Sequence, residues 1–165
     1  MNYISEEHLQ RRGSKLNSKI MKAIIQRVSK ASVEVDGKTV SQIDNGLLVY
    51  LGVGAGDDEK NAKFIAKKVS ELRIFEDENG KMNLSVADVN GSVLLISNFT
   101  LYGDCRKGRR PGFDQAAEPA TANKLYEKVA AHIESYGLNV QKGVFAEHMH
   151  VSSVNDGPVT FVLEK

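Results

Sequence analysis

The sequence predicts an α+β fold: a mixed, mostly antiparallel β-sheet packed against two main helices in a single domain. Three observations predict it. Short β-branched and aliphatic runs separated by turn signals fill both ends of the chain. Two stretches carry apolar residues at helical spacings of three and four. The length, 165 residues of which 41% are hydrophobic, suffices for one sizeable core and is too short for two.

The elements are taken in chain order. Residues 23–28 read as a strand, and 32–35 and 38–43 as a hairpin whose Asp36-Gly37 pair suits a primed turn. Residues 46–53 form a nearly continuous apolar run, which predicts a buried strand. Asp57 and Asp58 then offer a cap to an amphipathic helix with Ala62, Ile65, Ala66, Val69 and Leu72 on one face. Glu78-Asn79-Gly80 is a turn, and 92–101 a strand with a polar end. Residues 102–118 are loop-like. Pro119 suits the first position of a second helix, with Leu125, Val129, His132 and Ile133 near one face and Gly137 at its stop. Residues 138–145, 149–154 and 159–163 alternate like strands.

Composition excludes several classes. The single cysteine, Cys105, supports neither a disulfide framework nor a Cys-rich zinc site, and no run of about 18 apolar residues exists to span a bilayer. Residues 1–20 lack the apolar stretch of a secretory signal. With a second Met at position 21 opening the patterned region, they read as a disordered extension or upstream start ahead of a domain at 21–165. The whole chain carries a formal charge of +1. The extension holds four of the 22 cations and two of the 21 anions, which leaves the domain at −1.

Several signals have bland readings. Gly52-Val53-Gly54-Ala55-Gly56 comes after a strand, but its spacing is not GxGxxG and it lacks a succeeding Gly-Lys-Ser/Thr, so it reads as a strand-to-helix turn. No cofactor is called for. Glu147, His148 and His150 put two imidazoles on one face if the segment is a strand, the ingredients of a metal-dependent hydrolase, although two surface or interface histidines are the simpler reading. Cys105 reads as a plain loop cysteine.

Two pieces stand apart. Arg106, Lys107, Arg109 and Arg110 put four cations into five residues, which fits a solvated loop and a phosphate-backbone contact equally. Residues 155–160, Asn-Asp-Gly-Pro-Val-Thr, read as a turn entering a strand, and Gly157-Pro158 is a bond where the cis form costs little.

At these residues the chain resembles the D-aminoacyl-tRNA deacylases (D-tyrosyl-tRNA deacylase family) over essentially all of 21–165. Residues 97–101, Ser-Asn-Phe-Thr-Leu, resemble the family's SQFTL. Residues 155–160 fit NxGPVT, and 106–113 resemble RKGxRPSF. The chain departs from the pattern at Asn98 for Gln, Gly112 for Ser, Ala146 for Gly and His150 for Gln.

The resemblance implies a barrel-like sheet and hydrolysis of the ester joining a D-amino acid, or mischarged glycine, to tRNA in the cytoplasm. It implies no metal or cofactor. It further implies a homodimer in which Gly157 and Pro158, oriented by Arg27, enter the partner's pocket and exclude L side chains. Phe99 and Thr100 would supply backbone N–H donors, with Ser97, Asn98 and Met149 lining the adenosine pocket and Arg106, Lys107, Arg109 and Arg110 meeting tRNA. Two routes to the ester stay open, attack by water or with help from the terminal 2′-hydroxyl, and direct attack by the Thr100 hydroxyl. A different class, a non-catalytic tRNA-binding module, would use only the basic loop.

Overall fold

A computed structural model describes residues 20–165, so the expectation for 1–20 lies, apart from Ile20, outside the described residues. Strand β1 (Lys22–Val35) is single where two strands were expected, because β8 (His150–Glu164) pairs with it along its length. Register shifts between Gln26 and Lys30 bend it without breaking it. Ala23 and Ile25 accordingly join one core cluster, while Val28, Ala31 and Val33 join a second.

The turn into β2 (Lys38–Ile43) has Asp36 and Gly37 at φ 50° and 74°, the primed geometry expected of it. β3 (Gly46–Gly52) explains its unbroken apolar run by being covered on both faces. Leu47, Val49 and Leu51 face the helices, and Leu48 faces the inside of the curled sheet. Helix α1 (Glu59–Glu71) starts at Asp58, whose carboxylate accepts from Lys60 N and Asn61 N while Asn61 Oδ1 accepts from Asp58 N. Asp57 instead accepts from Gly54 N at 2.6 Å.

β4 (Phe75–Glu76) and β5 (Met82–Leu84) make a small separate hairpin around the turn at Gly80. β6 (Ser92–Ser97) runs parallel to β3, and stops four residues short of the expected strand end. Helix α2 (Pro119–Glu134) begins on Pro119 and buries Leu125, Tyr126, Val129, Ala130 and Ile133. Its Tyr126 hydroxyl donates to Leu95 O at 2.8 Å, tying it to β6. His132 is only half-buried and faces Glu59.

β7 (Asn139–Lys142) ends before the expected 145 and lies parallel to β6. The last two expected strands are one, β8, which includes the Asn155–Thr160 segment expected as a turn. The order is β2-β1-β3-β6-β7, with β3 and β2 sharing one edge of β1 and β8 on the other. The sheet curls into a nearly closed barrel carrying both helices on one face. No helix among the described residues is long and apolar enough to cross a membrane.

Candidate active site

At the end of β6 the chain stops being a strand because Asn98 caps a tight turn. Its backbone is extended, and its side-chain oxygen accepts from Thr100 N at 3.2 Å and from the Thr100 hydroxyl. Residues Phe99–Tyr102 therefore fold into a 3-10 turn. Thr100, expected on a strand, sits in this turn. The Phe99 N–H, also at the start of the turn, donates to no described residue.

The turn rests on the glycine-rich stretch after β3. A Cβ at Gly52 would lie 3.0 Å from the Tyr102 ring and 3.2 Å from Asn98 O, and one at Gly54 only 2.8 Å from the Tyr102 hydroxyl. These glycines are a bed for the turn, as the turn reading of the stretch allowed. Tyr102 is buried and donates to Ile20 O. Burial and the nearby Asp57 carboxylate push its phenol pKa far up, so it stays a neutral donor.

Beside the turn lies a cavity of about 730 Å³. Ser97, Asn98, Phe99, Thr100 and Met149 all line it. Sequence reasoning missed Tyr50, Phe145 and the small wall of Ala116 and Ala117. A tyrosine inside an otherwise aliphatic buried strand was the available signal for Tyr50, whose phenol pKa burial raises. Met149 fits because position 143 is glycine, where a Cβ would lie 2.7 Å from its Sδ.

Arg27, Gly157 and Pro158 are not among the lining residues. Gln26 pairs with Thr160 and Val28 with Asn155, so residues 156–159 bulge out of β8 opposite Arg27. Arg27 is 5% exposed. Its guanidinium donates to Ile74 O at 2.8 Å and Asp156 O at 3.2 Å and pairs with the Glu76 and Asp156 carboxylates, which a buried charge requires. Asn155 closes the base of the bulge, accepting from Val159 N at 3.1 Å and donating to Thr160 Oγ1 at 3.0 Å. The Gly157-Pro158 bond is cis, and Gly157 has φ 134°, where a Cβ would lie 2.6 Å from Val159 Cγ2. Both residues are exposed.

The basic loop is pinched off by reciprocal backbone bonds between Asp104 and Gly112 at 2.8 and 3.1 Å. Arg106 folds back onto Asp104 through two bonds of 2.8 and 2.6 Å. Lys107, Arg109 and Arg110 are exposed and pair with no carboxylate among the described residues. The His148 and His150 rings meet edge to face at 5.1 Å. Among the described residues no three His, Cys, Asp or Glu side chains gather as a metal site, so the metal-hydrolase reading gains no geometric support.

Known proteins share both the sequence and the fold around this site. The family model described as D-Tyr-tRNA(Tyr) deacylase matches residues 24–164. The chain is 58% identical over 144 residues to a D-aminoacyl-tRNA deacylase of Thermosipho africanus, covering 87% of this chain and 97% of that one. It is 54% identical to that of Halalkalibacterium halodurans, covering 87% and 99%. Among solved structures it resembles a c-Myc DNA unwinding element binding protein, with TM-score 0.81 and 37% identity over 87% of this chain and 98% of that chain. A probable eukaryotic D-amino acid tRNA deacylase shares the fold, with TM-score 0.77 at 15% identity over 88% and 100%.

Proposed function

The chain belongs to the D-Tyr-tRNA(Tyr) deacylase family, and on that footing we propose how its geometry cleaves and selects the substrate. It is a D-aminoacyl-tRNA deacylase, a hydrolase that releases a D-amino acid from tRNA. The observation that carries the mechanism is the pair of N–H groups at Phe99 and Thr100 beside the 730 Å³ cavity. Water, or water assisted by the terminal ribose 2′-hydroxyl, adds to the ester carbonyl. The negative charge that develops on its oxygen meets the Phe99 N–H, which donates to no described residue, and the Thr100 N–H joins it by turning from Asn98 Oδ1. The carbon–oxygen bond to the ribose then breaks, and the proton passes to the ribose oxygen.

The Thr100 hydroxyl donates to the Asn98 amide oxygen, which is too weak a base to take its proton. That bond favours the water route over attack by Thr100. Ser97, Asn98 and Met149 hold the terminal adenosine.

Selection is assigned to the bulge. D and L substrates carry the same groups, so only a rigid wall can separate them. Pro158 has no N–H, and the Val159 N–H is already taken by Asn155. The exposed main chain of Gly157 and Pro158 keeps only the Gly157 N–H as a donor and presents two carbonyl oxygens, suited to a substrate amino group, and set against the ester it would exclude an L side chain. Achiral glycine passes the same filter. Gly157 and Pro158 lie outside their own chain's cavity, and β8 leaves one edge unpaired among the described strands. Val154, Phe161 and Val162 are exposed on it, Val162 by 69%. These features support a homodimer that delivers each bulge to the partner's cavity. Lys107, Arg109 and Arg110 meet tRNA phosphates, and such a substrate places the enzyme in the cytoplasm.

Rates on matched D- and L-tyrosyl-tRNA with metal-chelated protein test this reading. Hydrolysis of the D substrate alone, unchanged by EDTA, is expected. Equal rates on both enantiomers would overturn the filter, and salt-sensitive binding without turnover would favour a binding module.

A further inference from the structure

Phe99 and Phe113 form an exposed aromatic ledge on the rim of the cavity. Their rings meet edge to face with centroids 5.0 Å apart, at 56% and 36% exposure. Phe99 belongs to both the cavity lining and the ledge, so the two surfaces are continuous. The Phe113 ring lies over Gly103, where a Cβ would come within 3.3 Å of it and 3.6 Å of Pro111 Cβ, at the neck of the basic loop. That loop carries Lys107, Arg109 and Arg110, all exposed and without carboxylate partners among the described residues.

Two large aromatic side chains left in solvent beside free cations are costly to leave uncovered and match single-stranded nucleic acid on both counts. An aromatic face stacks on any base, and the neighbouring cations pair with phosphates. We propose that the ledge is a second RNA subsite: the base preceding the terminal adenosine of the substrate stacks on Phe113, with its phosphate held by the adjoining loop. The inference rests on the proposed placement of the terminal adenosine in the cavity. With that nucleotide seated, the strand leaves over Phe99, and the next base meets Phe113 before the RNA reaches the loop. Any base suffices for stacking, so the ledge lengthens the contact without adding sequence preference.

The test compares D-tyrosyl-tRNA with D-tyrosyl-adenosine, which lacks both the base for the ledge and the phosphates for the loop. Phe113→Ala should raise KM for the tRNA about tenfold, the worth of one stacked base, and leave KM for the adenosine ester unchanged. Phe113→Tyr should restore the tRNA value. Lys107→Ala with Arg109→Ala should instead lower the salt dependence of tRNA binding. Equal effects of Phe113→Ala on both substrates, or none on either, would overturn the subsite. So would a change of oligomeric state in sedimentation, which would mark Phe113 as a subunit contact. Failure of the underlying reading is separate: Met149→Ala, in the cavity wall, would then leave KM for D-tyrosyl-adenosine unchanged.

Discussion

The exit of β6 and the bulge of β8 are two interruptions of regular strand, built in opposite senses. At the β6 exit, the Asn98 cap and the glycine bed under Tyr102 wind the chain into a turn that offers N–H donors to a cavity. At the β8 bulge, Asn155 and buried Arg27 hold the chain out of register and expose main chain lacking an N–H at Pro158. An amino-acid ester carries one strong acceptor, its carbonyl, and one strong donor, its amino group. Cleavage and selection therefore need opposite hydrogen-bonding polarity, which the proposed mechanism assigns to these two interruptions.

The contrast breaks most sharply at Phe99. Proline suits the first position of such a turn, and Asn98 before it is already extended, so Phe99→Pro removes the N–H at little structural cost. Relative to Phe99→Ala, it should lower kcat by about 10²–10³ with the fold intact by circular dichroism. Next comes Gly157→Ala. A Cβ there meets Val159 side chain and backbone at 2.6 and 2.8 Å, so the bulge must move. The ratio of D to L hydrolysis should fall by about tenfold or more, while the turn keeps its donors; an unchanged ratio would remove the bulge from selection.

Thr100→Ala probes the β6 side with a smaller effect. It keeps the backbone N–H and removes only the hydroxyl, so kcat should fall by less than about tenfold; a loss of about 10³ or more would identify Thr100 as the nucleophile. Smallest is Ala146→Gly. Ala146 lines the cavity at φ 62°, a left-handed conformation that its Cβ disfavours. Glycine should stabilise the fold by about 0.5–1 kcal/mol in chemical denaturation, after its greater unfolded-state freedom is offset.

Much of this was legible in the sequence. The Asp36-Gly37 turn, the doubly covered β3, both helices and the clustering of residues 97–100 with Met149 in one cavity come from pattern and motif. Strand ends were not legible. The run 92–101 looks continuous because Phe99, Thr100 and Leu101 favour strands, and only the Asn98 side chain, reaching Thr100, ends it at Ser97. Likewise Asn155–Thr160 reads as a turn, yet pairing of β8 with β1 on both sides absorbs it as a bulge. Arg27 could be named from a motif, but its buried position beneath Asp156 depends on contacts 129 residues apart in sequence.

The central claim is that each site joins one chain's turn to its partner's bulge. Mixed dimers of differently tagged Phe99→Pro and Gly157→Ala subunits test it directly, through their rates on D- and L-tyrosyl-tRNA. Shared sites predict one intact site per mixed dimer, giving about half the unaltered rate on the D substrate with full selectivity. A mixed dimer with no selective site would show that each chain uses its own bulge, and would contradict the account.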